Sequence, residues 1–133
     1  GAVSEGMFDT FFFDELASLS ERYGGIGIHC CADARHQWGG FARVPGLRLL
    51  NLCAPPTRDA ATYVRDAYEC FDNSIAQMHF GWTPEGPPTT WPEQFPADRR
   101  VVFIVPAETR DQALAACEAL NALRTRQVRS VPA

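Results

Sequence analysis

The chain has 133 residues, enough for one compact domain with its own core, and no apolar run approaches the roughly 20 residues that span a bilayer. Its net charge of −4 and the absence of a basic cluster argue against nucleic acid as a partner. All twelve basic residues are arginine, which excludes a lysine Schiff base or a phosphate-loop lysine within this chain, and five cysteines at irregular spacing read as thiols of a cytoplasmic protein.

From Ser4 to Tyr23 the apolar residues Met7, Phe8, Phe11, Phe12, Leu16, Leu19 and Tyr23 recur at three- and four-residue steps, the mark of an amphipathic helix stopped by Gly24-Gly25. A short strand over 26–31 follows, then a short helix over 34–43. Pro45-Gly46 turns the chain into a second strand, Leu47 to Leu52, ending at Cys53. Thr57 is placed to cap a helix reaching about Phe71. A third strand is expected over 75–80. The proline-rich stretch 83–98 reads as a long irregular loop. Val101 to Val105 has the composition of a fourth strand, and Thr109-Arg-Asp-Gln112 is a capping box opening a helix to about Leu123. Residues 125–133 read as a flexible tail.

Strands alternating with helices predict an α/β domain over 1–133 with about four parallel strands and outer helices. A doubly wound sheet buries both faces, whereas these strands alternate. Ile26, Ile28 and Cys30 face one way, and Gly27, His29 and Cys31 the other. Asn51 and Cys53 oppose Leu50 and Leu52 in the same manner. Polar and sulfur groups at strand C-termini, turned away from the helices, suit the interior of a barrel, so the expected fold is the C-terminal half of a (β/α)8 TIM barrel.

His29 and Cys31 then converge at a strand end, Cys53 ends the next strand on the same face, and Glu108 follows the last one. An imidazole, thiols and a carboxylate are donors that zinc accepts, which makes His29, Cys31, Cys53 and Glu108 the candidate ligands. A core histidine with buried thiols explains the same residues without a metal. His79 is expected to point with His29, and with Trp82 and His36 it is a candidate for substrate binding; Trp82 as an anchor of the proline-rich loop and His36 as a surface histidine are the plainer readings. Cys30, Cys70 and Cys117 read as packing residues, and Asp33 as a complement to a helix dipole.

The stretches "VSEGMFDTFFFDELASLSERYGGIGIHCCADARHQW" and "GLRLLNLCAPP" resemble the C-terminal half of the uroporphyrinogen decarboxylase superfamily, most strongly over residues 4–56. The resemblance implies a (β/α)8 barrel of which this chain carries the last four strand-helix units. Of its branches, the cofactor-free decarboxylases place a Gly-His near the last strand, where this chain reads "VPAETRD". The zinc methyltransferases, which move a methyl group from a corrinoid or other donor to a thiol, bind zinc through a His-x-Cys and a late cysteine. This chain has His29 and Cys31 for the first two and Glu108 at the late position. Cobalamin-independent methionine synthase, a more distant relative, carries a glutamate near the position of Cys53. The resemblance thus implies a zinc-dependent methyltransferase relative acting on a small molecule. The open strand edges and exposed inner face of a half-barrel predict that the chain is a fragment, or that it pairs with a second copy or with a complementary N-terminal half-barrel. A cofactor-free decarboxylase and a non-catalytic half-barrel subunit are the alternatives.

Overall fold

The computed structural model describes residues 3–31, 33–96 and 98–129, and its chain divides into two compact units. The first comprises residues up to Thr83 together with Asp98–Phe103, and the second comprises Pro84–Ala97 and the chain from Ile104.

The first unit opens with α1 (Glu5–Phe11) and α2 (Phe13–Tyr23). Sequence periodicity suggests one helix here, but the backbone kinks at Phe12 (φ −122°, ψ −28°). Ser4 caps α1 by accepting the Met7 amide at 3.2 Å, and Gly24 ends α2 in the left-handed conformation (φ 70°) that glycine adopts without steric cost. Four strands follow: β1 (Ile26–Cys30), β2 (Leu47–Cys53), β3 (Ala76–Phe80) and β4 (Val101–Val102). Between β1 and β2 lies a 3-10 turn (Arg35–Gln37) running into α3 (Trp38–Ala42), and between β2 and β3 lies α4 (Ala60–Cys70). The cap of α4 is Asp59, whose carboxylate accepts the Thr62 amide at 2.8 Å. Thr57 is not the cap, because Pro55 to Arg58 form a tight turn first, closed by an Arg58 amide bond to the Pro55 carbonyl at 3.0 Å.

The sheet is α/β in class, wholly parallel, and ordered β1-β2-β3-β4. Sequential order with right-handed crossovers brings the connecting helices to one side, and the packing agrees. Leu50 and Leu52 are fully buried in one cluster with Phe8 of α1, Trp38 and Phe41 of α3, and Tyr63 and Ala67 of α4, and Ile28 and Cys30 of β1 pack against it. Phe8 meets Phe41 edge-on at 5.2 Å between ring centroids, and Trp38 meets Tyr63 at 5.0 Å.

The register assigns every strand residue to a face. Ile28, Leu50, Gln77 and Val101 form one row under the helices, and Cys30, Leu52 and His79 form the next. On the other face stand His29, Asn51, Met78 and Val102 in one row, with Cys53 beside Phe80 one step further along. That face is open within the unit: His29 is exposed, Phe80 is 41% exposed and Val102 40%.

In the second unit the proline-rich stretch is more ordered than its composition suggests. Pro88–Gln94 form a 3-10 helix around buried Trp91, whose indole N–H donates to the Gly86 carbonyl at 2.9 Å. Gln94 and Glu85 bond reciprocally at 3.2 and 2.7 Å. α5 (Arg110–Arg129) starts at the expected capping box: Thr109 Oγ1 accepts the Gln112 amide at 3.2 Å, and Gln112 Oε1 accepts the Thr109 amide at 3.3 Å. The helix runs through much of the stretch read as a tail, and residues 130–133 lie outside the described residues. β4 is shorter than the expected 101–105, since only Val101 and Val102 pair with β3.

Candidate functional site

Alternation along β1 sends His29 to the open face, and Cys31, the residue directly after the strand, continues the alternation two residues on. Their side chains meet: His29 Nε2 is in hydrogen-bond contact with Cys31 Sγ. Cys30 stands opposite Leu52 on β2, so the following residue, Cys31, comes beside Cys53. The Cys31 sulfur lies close enough to Cys53 to act on its thiol. Burial first, then the adjoining Cys31 and Cys30 sulfurs, push the Cys53 thiol above its ordinary pKa. Cys31 is exposed and Cys53 half-buried.

Two further residues complete the neighbourhood, and the sequence reading overlooked their role. Phe80 reaches towards β1 and meets the His29 ring edge-on at 6.3 Å. Asn51 stands in register beside His29, and its side-chain oxygen is buried without a hydrogen-bond partner among the described residues. The signal for Phe80 was its parity with Ala76 and Met78, which makes the apolar residues of β3 the open-face set. At the loop ends above, Asp33 pairs with Arg58 at 2.8 Å, which holds its carboxyl below the usual range. Asp33 thus ties the segment after β1 to the one after β2, a more specific role than a complement to a helix dipole.

The remaining candidates of the first unit fall elsewhere in it. His79 does not point with His29. It lies on the helix-covered face, its Nε2 bonded to Gln77 Oε1 at 3.1 Å and its ring 5.5 Å from that of Tyr68 on α4. The register pairs Met78, not His79, with the His29 row, so the polar residues of β3 turn inward and satisfy each other. Burial drives the His79 imidazole down to a pKa of about 4. His36 is exposed on the 3-10 turn and bonds to the Val3 carbonyl at 2.8 Å, tying down the N-terminal segment beside Gln37. Trp82 is half-buried just beyond β3. Glu108 belongs to the second unit, exposed, its amide donating to Gln112 Oε1 at 2.8 Å. Cys30 packs against the core as expected, whereas Cys70 and Cys117 are exposed at helix surfaces rather than buried.

His29, Cys31 and Cys53 are donors of the kinds zinc accepts, and they are linked pairwise through Cys31. Even so, among the described residues no three His, Cys, Asp or Glu side chains are arranged to hold a metal ion. A cavity of about 540 Å³ lies at the opposite ends of the strands, between α2 and the Gly24-Gly25 and Pro45-Gly46 turns, and includes none of these side chains. Among the described residues no helix is long and apolar enough to cross a membrane.

Comparison with known proteins finds nothing similar: no family model, no curated protein and no solved structure matches the chain.

Proposed function

We propose that this chain is the C-terminal half of a uroporphyrinogen-decarboxylase-like barrel, related to the zinc-dependent thiol methyltransferases, and that His29, Cys31 and Cys53 form its reactive centre. The observation that supports this reading best is positional. One imidazole and two thiols meet at the C-terminal ends of neighbouring strands in a sequentially ordered parallel sheet, on the face away from the helices. Parallel barrels carry their chemistry at that end.

The donor types fit zinc, but the described side chains do not converge as a three-ligand set. A metal here would therefore take a further ligand from outside the cluster, and Glu108, a substrate thiol or a residue of the complementary half-barrel are the candidates. When bound, zinc would supply Lewis acidity that keeps a coordinated thiol deprotonated at neutral pH. The chain's own residues have separable tasks. Cys31, the exposed sulfur, meets the substrate; Phe80 and Met78 give an apolar wall that excludes water; the Asn51 oxygen accepts a hydrogen bond from a polar substrate group. Trp82 borders the entrance. A small thiol is the acceptor and a corrinoid the candidate methyl donor, in a reducing compartment such as the cytoplasm.

The open sheet face supports the pairing. Phe80 and Val102 are exposed there, and β1 and β4 are edge strands, so a second copy or an N-terminal half-barrel would cover what one half leaves open. The exposed Phe80 and Val102 on that face also suit a second reading, a half-barrel subunit without catalysis of its own.

Elemental mass spectrometry of protein purified without added metal separates the readings. Stoichiometric zinc, lost in His29→Ala while the circular dichroism spectrum is kept, upholds the methyltransferase reading. Metal-free parent protein that does not take up added zinc overturns it in favour of the subunit.

A further inference from the structure

We infer that Cys31 and Cys53 form a reversible disulfide in exchange with small-molecule disulfides such as oxidised glutathione, making the open face a redox modification site. The inference needs no bound metal and stands on three placements. Cys31, the residue directly after β1, and Cys53, the last residue of the adjacent parallel strand β2, are lateral neighbours, since Cys30 pairs with Leu52 and the next residues along are these two. Neighbouring strands lie about 4.8 Å apart, inside the range of about 4.4–6.8 Å between Cα atoms that a disulfide bridges. With the register fixed through Cys30 and Leu52, the next residue of each segment meets the other without either crossing the sheet.

The second placement is exposure. Cys31 is open to solvent and Cys53 half-buried, which divides the roles. Cys31 is the sulfur that an incoming disulfide reaches, and Cys53 is the one positioned to resolve the product. The third placement is the alternation of β1. Cys30, although adjacent in sequence, packs against the helix-side core and faces away from both, so it does not compete.

The chemistry balances with one molecule of oxidant. Cys31 sulfur attacks one sulfur of the disulfide RSSR; the S–S bond breaks, a Cys31–S–SR mixed disulfide forms, and one RSH leaves carrying the cysteine's proton. Cys53 sulfur then attacks the Cys31 sulfur of the mixed disulfide, and the second RSH leaves with its proton. Two cysteine thiols are oxidised and one RSSR is reduced to two RSH. The product removes both sulfurs from the cluster around His29 until a reductant restores them, so a site that uses either sulfur is switched off under oxidising conditions.

The test is thiol counting and unreduced peptide mapping of the whole folded chain, chelator-treated and then incubated with oxidised glutathione. Beyond any glutathione adducts on the exposed Cys70 and Cys117, the parent loses two thiols and yields a Cys31–Cys53 linked peptide that dithiothreitol cleaves. Cys53→Ser loses one thiol and stops at glutathionylated Cys31, and Cys30→Ser behaves as the parent. His29→Ala also forms the linkage, so failure of the metal reading leaves this result standing. A parent that keeps glutathione on Cys31, links Cys31 to Cys30, Cys70 or Cys117, or loses no thiol overturns the inference.

Discussion

The rings of His29 and Phe80 stand edge-on at 6.3 Å although their strands are not neighbours, with β2 between them. Strands two apart lie nearly 10 Å from each other at the backbone, by about 4.8 Å per step. Both side chains therefore lean over Asn51 and Cys53, and the open face narrows above the sulfur pair. Phe80 thus orients the imidazole that touches Cys31.

Removing that ring has a measurable cost. Phe80→Ala is expected to lose about 0.5–1.5 kcal/mol for the ring pair beyond its buried area. Chemical denaturation gives the loss, and the ring-current shift on the His29 imidazole protons should vanish in the proton NMR spectrum.

His79 makes stability depend on pH. Its folded pKa of about 4 lies below the ordinary value of 6.5, because burial disfavours the charged ring. Between those values the unfolded chain binds the proton and the folded chain does not, so stability is whole above about pH 6.5 and falls as pH drops towards 4. The full difference is on the order of 3 kcal/mol. Urea denaturation from pH 7 to pH 4 should show the decline, and His79→Gln should flatten this part of it.

The helix-side core should respond more sharply than the caps. Leu50→Ala, at a position with no exposed surface, is expected to cost about 2–5 kcal/mol. Asp59→Ala, which removes only the bond to the Thr62 amide, is expected to cost about 1 kcal/mol. Denaturation midpoints of the two variants settle the order.

The open face should govern association. Phe80→Glu with Val102→Glu places charge on the exposed apolar positions and should shift the protein towards monomer in sedimentation velocity. A parent that is monomeric at every concentration would leave the face without a second copy as its cover.

The strands were legible because alternation is a local signal. Ile26, Ile28 and Cys30 against His29 and Cys31 gave the faces of β1, and Leu50 and Leu52 against Asn51 and Cys53 gave those of β2. The same reasoning misplaced His79 because it followed residue type. Residue type alone sets His79 with His29, whereas Gln77 and His79 bond to each other and Gln77 donates to the Ala67 carbonyl at 3.3 Å beneath α4. Register between strands is not written in one strand, and it is register that sets Met78 beside His29. Ordering in the proline-rich stretch was equally out of reach, since the bonds of Trp91 and Gln94 join residues that local propensity treats singly.

Cys30 and Cys31 are joined by one peptide bond yet look into different worlds, one into the apolar layer beneath the helices and the other onto the open face. The anchor of Cys31 is thus its own neighbour. A substitution that changes the volume of the layer packed against Cys30, however remote it looks from the open face, is a lever on where Cys31 stands relative to His29 and Cys53.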